Sequence, residues 1–348
     1  MTDLRNRSRR SFLTRCLTGA AALGVAGLRE AGEAQAPAAK SRVVVACDPL
    51  LRSSDSTRGS GSTVDARRLE ALLDRAMQSL FKLPATHENS IAAWRRIAGA
   101  SDTVSLKVNT LGGRGISTNV DLVAAVCERL QQAGVAARNI IVWDRDSEEM
   151  ERAGFRIAIG GDRVQCYGTD RVGYEEDLSA WGSVGSRFSK ILTRSSNVLI
   201  NMPVLKDHDG AGVTIALKNM YGTIHNPNKY HPNGCDPYVA DLNMLPEIRS
   251  RMKLTICDAT TAMYEGGPGF KPEHSWKLNG LLVAQDAVAL DFTGWQLIER
   301  KRAEMGLKTL EADGRAPRYI ATAANSEHNL GHCDPARIAV VEIQGGAS

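Results

Sequence analysis

None of the seven cysteines in this 348-residue chain stands in a Cys-x-x-Cys pair, so an ordinary ferredoxin-type iron–sulfur cluster or zinc knuckle is not encoded. No glycine-rich stretch has the Walker or dinucleotide-binding spacing, and no internal repeat is present. After the first 38 residues no apolar run is long enough to span a bilayer. An excess of one charge is missing as well. Residues 1–38 hold six Arg and three acidic residues, so the rest carries 37 basic and 36 acidic side chains. That balance gives no footprint for nucleic acid or for an anionic membrane surface.

What is present begins at the N-terminus. Ser8-Arg9-Arg10-Ser11-Phe12-Leu13 has the form of a twin-arginine export signal, a receptor-read address and not part of a fold. An apolar run diluted with Gly, Ala and Thr follows from Leu17 to Leu28, then a small-residue region in which Ala36-Pro37-Ala38 offers a cut before Ala39. Cys16 follows Arg15 ahead of the apolar run, which argues against a lipid anchor. The expectation is a signal peptide over 1–38, passage through the twin-arginine translocase, and a mature periplasmic protein with no stable membrane anchor. That route carries folded chains, often because a cofactor is loaded first. The cofactor remains unnamed, with a divalent metal as one candidate.

The 310 residues that remain suffice for one large or two modest domains; a single domain over 39–348 is expected. Strands are expected at Val43–Cys47, Val104–Val108, Ile140–Trp143, Asn197–Met202, Leu254–Cys257, Leu281–Ala284 and Ile338–Ile343. Helices are expected at Val64–Phe81, Asn119–Gln132, Gly212–Tyr221 and Ala287–Met305. Ser53 to Ser62 reads as a low-complexity loop. This alternation indicates an α/β fold with a mostly parallel sheet flanked by helices. Uninterrupted runs such as Val43-Val44-Val45 suit strands covered on both faces. Several runs end in a polar residue: Asp48, Asn109, Asp144, Asn201, Asp258 and Asp286. Parallel strands would gather these at one carboxyl rim, where open α/β sheets bind ligands. Helix capping is the competing duty, and Asp286 suits it best.

The densest chemistry lies in Asn201 to Gly222. Lys206, His208, Thr214, Lys218 and Asn219 follow a buried strand, with Gly210 and Gly212 between. The expected helix would place Thr214 and Lys218 on one face and its N-terminal amides toward an anion. Lys218 either binds a ligand, sits at the surface, or neutralises a buried carboxylate such as Asp258. The loop Thr110 to Asn119, with Gly113 and Arg114, has the composition of an anion cradle, although Ser117 or Thr118 can instead cap the next helix. His225 and His231, with Asp207, His208 and Asp209, are candidate first-row metal ligands, in a spacing that matches no named zinc motif. Cys127, Cys47 and Cys257 read as buried core thiols, and a Cys235–Cys333 disulfide is conceivable.

The Asn201–Gly222 segment resembles the hallmark of the family called domain of unknown function 362: Pro203, Leu205, Lys206 and His208, then Gly212 and Leu217-Lys218-Asn219 before Gly222. Three further stretches are similar to that family: Leu106-Lys107-Val108-Asn109, Cys257-Asp258-Ala259-Thr260 with Gly266-Gly267-Pro268-Gly269, and Asp286 to Asp291. The likeness spans roughly residues 43–344. It implies an architecture and a set of site positions and not a reaction. Many relatives carry ferredoxin-type cysteines that this chain lacks. Lys107, Lys206, His208, Lys218 and Asn219 are the expected catalytic group. Asn109, Gly113, Arg114, Asp144, Thr214, Asp258 and Gly267 are the expected ligand contacts. The function that follows is an exported enzyme acting on a small anionic substrate. The alternatives are a non-catalytic anion or metal-ligand binder and an assembly partner for another exported enzyme.

Overall fold

The computed structural model describes residues 39–52 and 63–345. The export signal and the Ser53–Ser62 loop lie outside the described residues. Strands are β1 Ser41–Cys47, β2 Val104–Lys107, β3 Ile140–Trp143, β4 Gln165–Cys166, β5 Ser179–Trp181, β6 Val184–Ser186, β7 Val198–Asn201, β8 Val204–His208, β9 Gly212–Thr214, β10 Met252–Met263, β11 Ser275–Trp276, β12 Gly280–Ala284 and β13 Ile338–Gln344. Helices are α1 Ala66–Leu80, α2 His87–Arg95, α3 Val120–Gln132, α4 Ser147–Ala153, α5 Lys190–Arg194, α6 Ala216–Asn219, α7 Tyr238–Met244, α8 Pro246–Arg249, α9 Ala287–Glu304 and α10 Tyr319–Ala324. The fold is α/β, with a mostly parallel sheet between helical layers.

The sheet runs β13-β1-β12-β10-β7-β2-β3-β4. Its neighbours are parallel except where β12 meets β1 and β10. Side chains alternate between faces along each strand. Val43 and Val45 therefore join the core under α9 and α10, while Val44 and Ala46 join the core under α1 and α3. Both faces are covered, which is why these strands read as continuous apolar runs.

Two features place the site. The chain goes outward through β2, β3 and β4, then returns to β7 on the other side of β2. That reversal opens a crevice at the carboxyl ends of β2 and β7, the switch point where such sheets bind ligands. Second, the chain steps aside at Met202-Pro203 after β7 and continues as β8. Both strands pair with the twelve-residue β10, and the Asp258 N–H donates to Pro203 O at 2.8 Å. β8 thus rises beyond the rim as one wall, folding back on β9 with Lys206 opposite Thr214.

Several expectations are corrected here. Gly212–Tyr221 is not one helix. Val213-Thr214-Ile215 is a β-branched triplet suited to a strand, and only Ala216–Asn219 is α-helical. The amides at the start of α6 do not face a ligand: Ala216 N and Leu217 N donate to the buried Asp291 carboxylate of α9 at 2.6 and 3.1 Å. Asp258 does not end a strand. It lies inside β10, where its carboxylate accepts from Asn119 N at 2.7 Å and Thr260 N at 2.8 Å. Asp286 lies after the antiparallel β12, off the shared rim, and caps α9 through Ala289 N, the capping duty expected of it. Asn119, and not Ser117 or Thr118, caps α3. Cys235 and Cys333 are free thiols, and Cys235 is turned toward the carbonyl of His231.

Candidate functional site

A cavity of about 470 Å³ fills the switch-point crevice. Lys107 and Asn109 reach it from the end of β2, Asp144 and Arg145 from the turn after β3, Glu149 from α4, Lys206 and His208 from β8, Thr214 from β9, and Lys218 and Asn219 from α6. His231 and Pro268 complete it from neighbouring loops. Most of the expected residues are therefore in one place, although Thr214 and Lys218 meet there from a strand and a helix and not from one helix face.

The three lysines are not alike. Lys107 Nζ, buried, contacts Asp144 Oδ1 at 2.7 Å and Val108 O at 2.6 Å. The Asp144 carboxylate also accepts from Thr110 N and Oγ1, both at 2.9 Å, and from Arg145 N at 2.8 Å. Gly222 makes room for this pair, since a Cβ there would stand 2.6 Å from Lys107 Nζ and 3.0 Å from Asp144 Oδ1. Lys206 Nζ donates to Asn109 Oδ1 at 3.0 Å and Pro268 O at 3.2 Å. Lys218 Nζ lies 3.3 Å from His231 Nε2 and 4.6 Å from the Tyr221 ring centroid. Among the described residues neither Lys206 nor Lys218 has a carboxylate within ion-pair distance.

Burial penalises the charged form of each lysine. It pulls Lys206 down to about 8, with Lys218 and Lys107 adding repulsion and Asp144 and Asp207 opposing it. It pulls Lys218 down to about 8, partly offset by Cys235. Lys107 is lowered too, against the pull of Asp144. His208 is pushed down to about 2 by burial, then by Lys218, His231 and Lys206, and so remains neutral. Its Nδ1 accepts from Gly210 N at 3.0 Å, which assigns the proton to Nε2. His231 is lowered by burial and by Lys218. Two amines poised near neutrality, beside a neutral imidazole, can bind an anion and exchange protons with it.

Two buried polar atoms at the cavity have no hydrogen-bond partner among the described residues: Thr214 Oγ1 and Arg145 Nε. Buried polar atoms are nearly always paired, so these two unmet groups on cavity-lining residues are exceptions.

The other expected contacts lie elsewhere. Gly113 is outside the cavity. Arg114 lines a separate cavity of about 590 Å³ with Arg52 and Lys277. Gly267 is buried and donates its N–H to the Asp207 carboxylate at 3.0 Å, which sets the neighbouring Pro268 carbonyl against Lys206. Asp258 is spent on the start of α3, so it is not the partner of Lys218. The histidines form no metal set. His225 is exposed, with Nδ1 taken by Ser186 Oγ and Arg187 N at 3.1 Å. His208 Nδ1 is occupied as described, and His231 Nε2 faces an amine. No group of three or more His, Cys, Asp or Glu among the described residues could hold a metal ion.

Arg145 and Glu149 were not expected. Asp146 caps α4 through Glu149 N at 2.9 Å, and the Asp-x-x-Glu spacing is a sequence sign of that helix start. It would have carried both residues to the rim.

The model of the family described as "Domain of unknown function (DUF362)" matches residues 104–296. The chain belongs to this family. The matched span holds every residue named above for the switch-point cavity and leaves out β1 and β13. Among solved structures, the chain is similar to the lactate racemase apoprotein from Thermoanaerobacterium thermosaccharolyticum, with 8% identity and a TM-score of 0.42. The likeness covers 75% of this chain and 57% of that one. No curated protein matches the chain. No helix of the described residues is long and apolar enough to cross a membrane.

Proposed function

We propose that this member of the family is an exported enzyme that binds a small anionic substrate in the switch-point cavity. One observation carries the reading. Among the described residues, Lys206 and Lys218 are buried there without a carboxylate to neutralise them, beside a Thr214 hydroxyl that has no hydrogen-bond partner. A buried cation without a counter-charge is costly, and a bound anion would remove that cost. Lys206 and Thr214 are the anchor, with Arg145 at the same cavity. A non-catalytic binder would need only complementary charge. The two amines near neutrality favour proton transfer as well, and so favour an enzyme. The donor set gives no support to a metal in this role. Export rests on the twin arginines, the mild apolar run and the Ala-rich cut region.

The test is thermal melting of the purified protein with a panel of small carboxylates and inorganic phosphate, repeated with Lys206→Met. At least one anion should raise the melting temperature of the wild type and leave the variant unmoved. An equal response in both proteins, or none in either, would sink the reading.

A further inference from the structure

We infer that Lys218 forms a Schiff base with a small oxo acid, a carbonyl compound carrying a carboxylate. The inference rests on the reading of the cavity as an anion site and names the class of its substrate.

The three lysines divide the work by their partners. Lys107 is held by Asp144 and cannot offer a lone pair. Lys206 is committed as a donor to Asn109 Oδ1 and Pro268 O, which suits an anchor for a carboxylate. Lys218 has neither kind of restraint. It is buried at the cavity, its flank is the Tyr221 ring, and among the described residues its side-chain hydrogen-bond partner is His231 Nε2. The tautomer of His231 follows from its other nitrogen. Nδ1 lies 3.1 Å from the Pro227 carbonyl, which can only accept, so Nδ1 carries the proton and Nε2 presents a lone pair to Lys218. A neutral Lys218 donates one N–H to that lone pair. Its own lone pair is left free for a carbonyl carbon in the cavity. Burial, which pulls Lys218 down to about 8, keeps a useful fraction of the amine neutral.

The β8–β9 pair supplies the second half of the recognition. Lys206 and Thr214 face each other across the β8–β9 pair, on the same side, and both line the cavity. They offer a carboxylate an ammonium group and a hydroxyl that has no partner among the described residues.

The step balances without any further reagent. The Lys218 ammonium gives a proton to His231 Nε2, and the free amine nitrogen bonds to the carbonyl carbon. The carbonyl π pair becomes a hydroxyl after proton transfer from nitrogen. His231 returns its proton to that hydroxyl, which leaves as water while the nitrogen lone pair closes the C=N bond. One ammonium and one carbonyl give one protonated imine and one water, with no change of oxidation state.

The experiment is reductive trapping. The purified protein is incubated with glyoxylate or pyruvate and cyanoborohydride, then analysed by intact mass and peptide mapping. One adduct per chain is expected, on Lys218. Acetaldehyde, which lacks the carboxylate, should show no preference for Lys218 over exposed lysines. Lys218→Arg keeps the positive charge and should lose the adduct. His231→Gln should slow trapping near neutral pH by about a hundredfold, the lower range of general acid–base effects, with the deficit shrinking at alkaline pH where the amine is already free. Mapping on the wild type decides the question even if a variant fails to fold. Adducts on Lys206 or spread over surface lysines, with Lys218 unmodified, would overturn the inference. If anions still raise the melting temperature in that case, the cavity remains an anion site and only the imine is lost. If neither adduct nor anion effect is seen, both readings fall.

Discussion

Replacing Asp144 by Asn should destabilise the protein more than replacing its partner Lys107 by Met, and the difference should depend on pH. The asymmetry follows from what each change strands. Without its carboxylate, the Lys107 ammonium remains buried with no counter-charge among the described residues, and only neutral oxygens such as Val108 O are left to accept from it. Without Lys107, Asp144 still accepts from Thr110 N, Thr110 Oγ1 and Arg145 N. Breaking a buried ion pair by removing one partner costs about 3–5 kcal/mol. The Lys107→Met change belongs at or below about 3 kcal/mol, because three donors still serve the surviving carboxylate. The Asp144→Asn change has a ceiling, since Lys107 can release its proton instead. From an ordinary value of 10.5, holding it neutral at pH 7 costs about 5 kcal/mol, and at pH 9 about 2 kcal/mol. Urea unfolding of both variants at the two pH values, read as free energies by linear extrapolation, gives the answer. The Asp144→Asn deficit should shrink by at least about 1 kcal/mol on going from pH 7 to pH 9. A deficit that does not change with pH, or a larger loss for Lys107→Met, would refute the assignment of Lys107 as a charged lysine dependent on Asp144.

Asp291→Ala should strand Ala216 N and Leu217 N and cost about 1–3 kcal/mol for each amide left unpaired; it should also weaken the anion-dependent rise in melting temperature, because α6 carries Lys218, and normal melting with normal anion response would count against it. His208 binds its proton less tightly when folded than when unfolded, so stability should rise with pH between about 2 and its ordinary value of 6.5. His208→Gln should flatten that part of the stability curve, and an unchanged acid limb would contradict the neutral assignment. Changing Arg9 and Arg10 together to Lys should leave uncleaved protein in the cytoplasm; fractionation with undiminished periplasmic yield would remove the twin-arginine reading.

How much of this was legible in the sequence depends on which interactions decide each element. Strands covered on both faces declare themselves by unbroken apolar runs, so Ile140–Trp143 matches its expected bounds. The residues just past those runs, Asn109 and Asp144, line the cavity as the carboxyl-rim argument requires. Asp258 escaped because β10 is twelve residues long to serve both β7 and β8, a tertiary demand with no local signal. The reversed direction of β12 has a signal in the sequence. Parallel neighbours need a crossover, usually a helix, and only the short β11 and a 3₁₀ turn lie between β10 and β12. The misread helix at Gly212 had one too. Gly212 has a φ of +78°, outside the helical region, and three β-branched residues follow it.

The amide side chains explain why Asn, and no other residue, is useful at three places in this site. Lys206 Nζ donates to Asn109 Oδ1 at 3.0 Å, Asn109 Nδ2 to Asn219 Oδ1 at 3.0 Å, Asn219 Nδ2 to Asn201 Oδ1 at 2.7 Å, and Asn201 Nδ2 to Ala216 O at 2.8 Å. Every amide accepts on one side and donates on the other, so the chain of bonds has a single direction from the lysine to a backbone carbonyl. Turning any one amide over would set donor against donor and acceptor against acceptor. An Asp in the series would lose a donor, and a Leu would leave two buried groups unpaired. A buried polar network is tolerable only when every member is satisfied, and here the members come from β7, α6, the end of β2 and β8. The same bonds therefore hold the four segments in register and fix Lys206 as a donor. With Lys206 so fixed and Lys107 bound to Asp144, Lys218 is the cavity lysine whose lone pair is left for chemistry.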